Sequence, residues 1–537
     1  MTRETDVLIV GGGPTGLALG LWLAHLGVRF RIIDKAAEPG TTSRALALHA
    51  RILEFYDQIG LAQEIVAHGL KMTGARLWAG GRERGRVFFG DMGEGISPFP
   101  YALIFPQDEH ERLLIEHLRE LGVAVERPVT LTSFEDRGER VWARLEHPEG
   151  HAEEVESRFL VGCDGAHSIV REGLKTGFAG GTYSHVFYVA DVEARGPAMN
   201  DEINLGLDEA EFLAIFPLKS ESGAARRGRF IGTIERAAET EKDLAFEDVS
   251  HRLIDSLSLR VEKVNWFSTY RVHHRVAGRF RAGSVFLAGD AAHIHSPVGG
   301  QGMNTGIGDA VNLAWKLAAV VKGRAGPALL ESYEPERIAF ARRLVATTDR
   351  AFQFILAEGA FARFARRRLT PWLLPKLFRL APVRRLMFRT ISQTAINYRG
   401  SPLATGWAGR LQAGDRLPWL RQLDGFETVP GAPAADNFAP LKSLDWQIHV
   451  YGIPSPEARQ AAAEAGLPLH QFDWSDAASM AGFERNAIYL IRPDGYIGLA
   501  ATGDQAPALA AYRSRFVLDF TEPVAQGFDA AMAGQAR

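Results

Sequence analysis

The sequence predicts an α/β chain in three parts: a unit built on a parallel sheet, an antiparallel sheet inserted into it, and a smaller α/β unit at the end. Three observations predict it. Residues 6 to 34 run strand, glycine turn, helix, strand around "GGGPTG" (residues 11–16), the pattern of a βαβ unit. Between about residues 181 and 275 apolar and polar residues alternate, as in "HVFYVADVEA" and "GRFIGTIER", the period of antiparallel strands. After a stretch rich in proline and glycine around residues 400–440, strand and helix patterns resume. At 537 residues the chain has room for about three units of ordinary size.

In chain order, "VLIV" is the first strand, residues 15–26 the first helix and "RFRIID" the second strand, ending at Asp34. Helical periodicity follows over 43–67 and over 108–121. "RFLVGCDG" is a strand closing near residue 165, "FLAIFPLK" is one of the alternating strands, and "SVFLAGD" is a further strand before a long helix over 303–322. In the last part "DWQIHVYG" is a strand and residues 456–465 a helix. "AIYLIRPDGYIGLAA" is a hairpin, because Asp-Gly between apolar runs favours a tight turn. The expected boundaries are 1–75, 100–180 and 276–345 for the first unit, and 76–99 with 181–275 for the inserted sheet. Residues 346–400 form a helical segment covering both, and 401–537 the C-terminal unit.

Composition is globular: 46% apolar, 23% charged and without repeats. A net charge of −3 gives no global attraction to nucleic acid. Cys163, the one cysteine, excludes an internal disulfide, a CxxC redox pair and a thiolate metal cage, and it reads as a buried structural thiol. The uncharged run from Val7 to Val28 imitates a membrane span or signal peptide. Gly11, Gly12, Gly13 and Pro14 interrupt it where a span must be continuous helix, so a cytoplasmic protein with no transmembrane segment is expected. From Gly359 to Gly414 there are eleven basic residues and no acidic one, interleaved with Trp372, Leu373, Leu374, Phe378 and Phe388. Amphipathic helices covering the larger units, arginines outward, are the favoured account, and a helix lying on a membrane surface is the alternative.

Two glycine-rich turns and one Asp-Gly turn carry the chemistry. Gly11-x-Gly13-x-x-Gly16 lies between a strand and a helix, and Asp34 ends the next strand. Glycines there let backbone N–H groups approach a pyrophosphate, which a helix N-terminus favours, while the acid meets a ribose. The second turn, "GDAAHIHSPVGGQGMNTG" (residues 289–306), places Asp290 at a strand end, where a carboxylate suits hydroxyls. Its glycines include Gly299, Gly300 and Gly302, and Met303 and Asn304 begin a helix whose N–H groups suit a developing anion. The third stretch, "CDGAHSIVR", holds Asp164, Gly165, Ser168 and Arg171.

Together these motifs resemble the class A flavoprotein monooxygenases, the single-component aromatic hydroxylases. The resemblance implies that Gly11, Gly13, Pro14 and Gly16, with Asp34 and Lys35, hold the adenine dinucleotide half of FAD. It further implies that Asp164 and Arg171 meet FAD and NADPH, that Gly289 and Asp290 meet the ribityl chain, and that Pro297 to Asn304 line the isoalloxazine, Gly300, Gly302 and Met303 among them. Arg44 in "TTSRALALHARILE" and Gln107 in "FPQDEHERLL" are two further implied FAD contacts. The resemblance covers about residues 1–400 and implies a Rossmann-like FAD-binding domain of the glutathione reductase type, interwoven with an antiparallel substrate domain. The tail resembles the thioredoxin-like C-terminal domain of the phenol hydroxylase and polyketide hydroxylase branches. Lacking CxxC, it implies a structural role or a homodimer.

The implied reaction is reduction of FAD by NADPH or NADH, capture of O₂ as a flavin C4a-hydroperoxide, and transfer of one oxygen to a phenol or other small aromatic substrate. Phe212, Ile215 and Phe216, with Pro297, are the expected pocket wall, although plain core packing explains each of them as well. His273, His274, His295 and Pro297 are candidate catalytic residues, and structural histidines are the commoner outcome. His293 and His295 stand two apart without a third ligand nearby, which does not make a metal site. A flavin halogenase is disfavoured because no WxWxI is present. A Baeyer–Villiger or epoxidising oxygenase shares the same motifs, and a non-catalytic flavin-binding protein acting at a membrane through the basic block is the reading from another class.

Overall fold

In a computed structural model of the chain, the structure describes residues 3–40, 45–90, 92–207, 212–219, 225–234, 244–249, 251–296, 298–356, 365–421, 436–502 and 507–520. It is a mixed α/β fold. The first sheet has a parallel core in which strands Val285–Leu287, Ala152–Gly162, Arg3–Val10, Phe30–Ile33 and Val125–Glu126 lie side by side in that order. Their near-continuous apolar sequences suit a parallel sheet covered on both faces, and Val7, Leu8, Ile9, Ile32, Leu160 and Val161 are fully buried. Strands Thr130–Asp136 and Val141–Glu146 extend it in antiparallel fashion. Helix Pro14–His25 is buried from Gly16 to Ala24 because helices Gly302–Val321 and Gln107–Glu120 pack against it.

The second sheet has eight strands, in the order His293–Ile294, Arg260–Ala277, Phe178–Arg195, Arg226–Ile234, Phe212–Pro217, Ile203–Leu207, Gly74–Ala79 and Arg82–Phe88. Strand alternation divides its side chains between two environments. Tyr188, Val192, Leu213, Ile215 and Phe230 pack with Phe246, Leu253 and Leu257 on one face. On the other, Phe216 and Ile231 join Leu46, Met72 and Ile104.

Local chemistry moves several expected elements. The helix expected over 43–67 is instead a strand, Ala47–Leu48, and two helices, Ala50–Gln58 and Ala62–His68. Gly60 takes φ +80° and turns the chain between those helices. The second sheet starts at Gly74 and also takes His293–Ile294, from a stretch allotted to the first unit. Within the basic block, helices Thr370–Leu377 and Ala381–Ile391 form, the former packed on the edge strand Arg82–Phe88.

The C-terminal unit has a four-stranded sheet, Leu469–Phe472, Gln447–Tyr451, Ile488–Ile491, Ile497–Ala501, parallel in its first pair and antiparallel in the others. The expected hairpin forms at Asp494 and Gly495. This unit is seated on the rest through buried charge. Arg492 donates to both carboxylate oxygens of Glu336, at 2.8 and 3.0 Å, and to both of Asp494, at 2.9 and 2.6 Å. Lys316 Nζ adds 2.8 Å to Glu336 Oε2, Arg51 donates to the Asp494 carbonyl at 2.6 Å, and Arg416 Nε donates to Glu54 at 2.9 Å. Trp315 meets Trp446 edge-on at 5.5 Å. Burial brings the Lys316 ammonium down to about 8. Burial also opposes ionisation of Glu336, but facing Arg492 and Lys316 outweigh it and hold the carboxyl well below the usual carboxylate range.

Breaking a buried ionic cluster at one member leaves the others uncompensated. Arg492→Ala is therefore expected to cost on the order of 3–5 kcal/mol in chemical denaturation. A loss below about 1 kcal/mol, the size of an exposed pair, would show that apolar packing alone seats the unit.

Candidate active site

Strands Arg3–Val10, Ala152–Gly162 and Val285–Leu287 are parallel neighbours. The three turns read from the sequence leave from their carboxyl ends, where open parallel sheets bind their ligands. Packing between the turns is tight. A Cβ at Gly11, which has φ +111°, would collide with the Cys163 carbonyl, and one at Gly289 or Gly306 would collide with Thr15 Oγ1. Gly13 differs, since a Cβ there meets nothing within 4 Å. Helix Pro14–His25 begins at Gly13 with proline in its first turn, no side-chain cap and no acidic residue in that turn. Its first N–H groups have no intrahelical acceptors, and this end of the helix favours an anion.

Asp34 braces the first turn. Its carboxylate accepts from Gly12 N at 2.7 Å and Ala36 N at 2.8 Å, and pairs with Arg127 Nη1 at 3.2 Å. Arg127 also donates to the Gly12 carbonyl at 3.0 Å. This arginine was not legible in the sequence: it follows a two-residue strand and belongs to no motif. Lys35 is exposed.

The second turn is held from behind by a buried acid, Asp309. Its Oδ2 accepts from Gly289 N at 3.0 Å and His293 Nε2 at 2.7 Å, and its Oδ1 from Arg337 Nε at 2.6 Å. Burial alone would raise the carboxyl, and Arg337 with His293 outweighs it, leaving the group below its ordinary value. Asp290 sits exposed on the turn Gly289–Ala291. Asn304 is fully buried and spent on the protein, donating to Ala47 O and Gly300 O and accepting from His49 N, each at 2.8 Å. His49 Nε2 donates to Gly299 O at 2.8 Å. Gly299 and Gly300 have φ of +78° and +62°, and Met303 is half-buried against the main core. Helix Gly302–Val321 starts without a side-chain cap or an acid in its first turn, a second uncapped N-terminus at this site.

The Asp164 stretch folds around its own acid. Asp164 accepts from Ser168 Oγ at 2.5 Å and Ile169 N at 2.7 Å, and Ser168 caps the short helix Ile169–Gly173 through Arg171 N. Arg171 donates to Ala291 O at 3.1 Å and Ala166 O at 2.8 Å, with Phe178 3.9 Å below its guanidinium. It thereby ties this stretch to the second turn. Gln107 opens helix Gln107–Glu120, donating to the Ala45 carbonyl through its backbone and to Glu111 through its side chain at 2.7 Å. Arg44 and Pro297 lie outside the described residues.

The remaining candidates separate. Phe216 faces the first unit, whereas Ile215 lies on the opposite face within the core under Leu253 and Leu257, because adjacent strand residues point to opposite sides. Phe212, half-buried, shares the Phe216 parity. Buried Arg229 holds Asp191 with two bonds, 2.6 and 2.7 Å, across neighbouring strands. His273 bonds Thr182 at 2.7 Å, and His274 lies 4.9 Å from Tyr183. His295 Nδ1 donates to Ser296 O at 2.7 Å, while Nε2 is buried without a partner among the described residues. Burial lowers both His49 and His295 to about 4. Among the described residues no group of His, Cys, Asp and Glu could hold a metal, and no helix is long and apolar enough to cross a membrane.

Those two histidines set a pH response. An unfolded histidine takes up its proton near pH 6.5 and these take theirs near 4, so the unfolded state binds more protons between those values. Stability is fully present above about pH 6.5 and is lost as pH falls to about 4, by on the order of 3 kcal/mol per site. His49→Gln, which keeps a donor for Gly299, is expected to flatten urea midpoints across that window. An unchanged slope would assign the acid sensitivity elsewhere.

Residues 4–348 match the FAD binding domain family. The chain is 37% identical over 419 residues to a 6-methylpretetramide 4-monooxygenase of Streptomyces rimosus, covering 76% of this chain and 72% of the relative. It is 31% identical over 509 residues to a flavin-dependent monooxygenase of Mycobacteroides abscessus, covering 92% and 96%. The anhydrotetracycline hydroxylase of Streptomyces rimosus has the same fold, with a TM-score of 0.76 at 30% identity over 97% of this chain and all of that one. With two glycine-rich turns and an Asp-Gly turn meeting at one sheet end and relatives matched along nearly its whole length, the chain belongs to the FAD binding domain family as an FAD- and NAD(P)H-dependent aromatic monooxygenase.

Proposed function

We propose that this monooxygenase hydroxylates a phenol carried on several fused rings, in the crevice between the carboxyl ends of the parallel strands and the Phe216 face of the second sheet. The observation that carries the proposal is two uncapped helix N-termini brought together where Thr15 packs against Gly289 and Gly306, in a fold whose second sheet turns an apolar face to the first unit. The relatives support the substrate class: two of them act on 6-methylpretetramide and anhydrotetracycline. Another, a pentachlorophenol 4-monooxygenase 28% identical over 538 residues, supports phenols more broadly. The strand order supports a Rossmann-like domain for FAD interwoven with a substrate sheet. The mixed four-stranded sheet, with a helix between its parallel strands, supports a thioredoxin-like C-terminal unit.

The residues fit FAD. Open space at Gly13 and the free N–H groups behind it suit the diphosphate. Gly12, Asp34 and Arg127 shape the adenosine end, Gly289 and Asp290 the ribityl chain, and Gly300, Gly302 and Met303 the ring, with Gln107 assigned beside them. When bound, FAD takes electrons from NAD(P)H and supplies one oxygen atom of O₂ to the substrate. Helix Gly302–Val321 favours negative charge at its N-terminus, and the face holding Phe216 and Ile231 keeps water from the reacting atoms. His295, neutral at pH 7 with Nδ1–H committed to Ser296, presents Nε2 as a proton acceptor against the start of that helix.

Two measurements test these assignments. Gly13 has φ −84° and ψ −175°, a conformation valine accepts. Gly13→Val is expected to fold normally and to lose about a hundredfold in FAD affinity, the worth of two charge-assisted hydrogen bonds. Unchanged affinity would move the diphosphate elsewhere. Aerobic NADPH consumption by the FAD-loaded enzyme across single-ring and fused-ring phenols, with products identified by mass and NMR, tests the substrate. Faster consumption coupled to a hydroxylated fused-ring product is expected, whereas a lactone, an epoxide or preference for single rings would replace the proposal.

A further inference from the structure

Helix Thr370–Leu377 wears its apolar residues on the wrong side. Its inner face is Pro371, half-buried Leu374 and, just beyond, buried Phe378, set against the edge strand Arg82–Phe88 and the main core. Its outer face carries Leu369, Trp372, Leu373, Leu377 and Leu380, all exposed, Trp372 by 58%. That spacing of three and four draws one stripe along a helix. Leu386 on the next helix, 66% exposed, and Phe88 at the end of the edge strand add to the exposed apolar surface of these elements. Contiguous apolar surface on a soluble fold marks something that covers it.

Charge selects the cover. Arg368, Lys376, Arg379, Arg385 and Arg389 are exposed around the stripe, and Lys376 lies 3.6 Å over the Trp372 ring. Arg384 donates to the carbonyls of Phe378 and Arg379 and closes the end of the first helix. From Gly359 to Gly414 there is no acidic residue, while the remainder of the chain carries 50 basic against 64 acidic ones. A second copy docked on this face would bring ten exposed cations of these helices together, with no acidic residue on the helices to face them. An anionic surface with an apolar interior satisfies both features, since basic side chains meet headgroups as Trp and Leu enter the acyl boundary. It also repels the acidic remainder and so sets the orientation.

We propose that the Leu369–Leu386 face docks this enzyme reversibly on an anionic lipid surface. The test is co-sedimentation of FAD-loaded enzyme with phosphatidylcholine vesicles containing or lacking phosphatidylglycerol. Measurements are made where the screening length is about 10 Å and again where it is about 3 Å. Binding to the anionic vesicles that falls but persists at the shorter length is expected. Trp372→Glu with Leu377→Glu should cut the bound fraction at least tenfold, with FAD content and thermal midpoint unchanged. Arg379→Gln with Arg385→Gln, which leaves the apolar stripe intact, should weaken binding and reduce its salt dependence. Lipid quenchers should dim tryptophan emission in the parent and not in Trp372→Phe. Absence of binding, binding indifferent to the Glu pair, or a dimer that the Glu pair converts to monomer would each overturn the proposal, the last by assigning the face to a second copy.

Discussion

The carboxylate of Asp309 sits where three demands meet. It fixes Gly289 at the start of the second turn, orients His293, and neutralises Arg337, all without contact with solvent. An isolated buried carboxylate is costly, so the site tolerates this one only with each of its partners in place. Arg337 in turn holds Tyr398 through Nη1 and the Thr305 carbonyl through Nη2. The start of helix Gly302–Val321 and the turn before it are thus set by one ionic knot. The second glycine turn inherits its shape from residues behind it, as supporting bonds fix the backbone in front of them.

Glu336 precedes Arg337 on helix Tyr333–Leu356 and anchors a second knot that is also centred on a carboxylate, accepting from Lys316, Arg492, Asn312 and Ser401. Two adjacent residues of one helix therefore hold two bodies: the glycine turn of the first unit and the sheet of the C-terminal unit. The C-terminal unit has no cysteine, so no dithiol chemistry belongs to it. Its contribution is the completion of buried charge that the larger unit leaves open.

What the sequence disclosed follows from the range over which each feature acts. Gly11, Gly13 and Gly16 were legible because a βαβ turn places all its demands within six residues of backbone. The long helix after residue 302 and the hairpin at Asp494 were legible for the same reason. Asp309 was visible in principle, as the only acid between Ala291 and Leu330, but its partner Arg337 is brought to it only by folding. Arg127 had no local signal at all. Alternation showed that Phe212–Phe216 has two faces, but not which one meets the first unit, so Ile215 was grouped with Phe216 although they point apart. The helix expected from residue 43 broke because strand pairing with Leu103–Ile104 outweighs local periodicity.

Helix Ala50–Gln58 shows what this arrangement means for inheritance. At its entrance His49 braces the second glycine turn. Within it, Arg51 reaches the Asp494 carbonyl, Glu54 takes Arg416, and Gln58 donates to the carbonyls of Leu441 and Pro493. A recombination event joining the first 400 residues to an unrelated tail would take Arg416 from Glu54 and Arg492 from Glu336, leaving each buried carboxylate with one of its two cations, Arg51 and Lys316 respectively. Such a chimera starts on the order of 3–5 kcal/mol below its parents, a large share of the about 5–15 kcal/mol that holds a domain folded. The two parts are therefore constrained to descend together, and the tail's sequence can drift freely only where it does not face this helix.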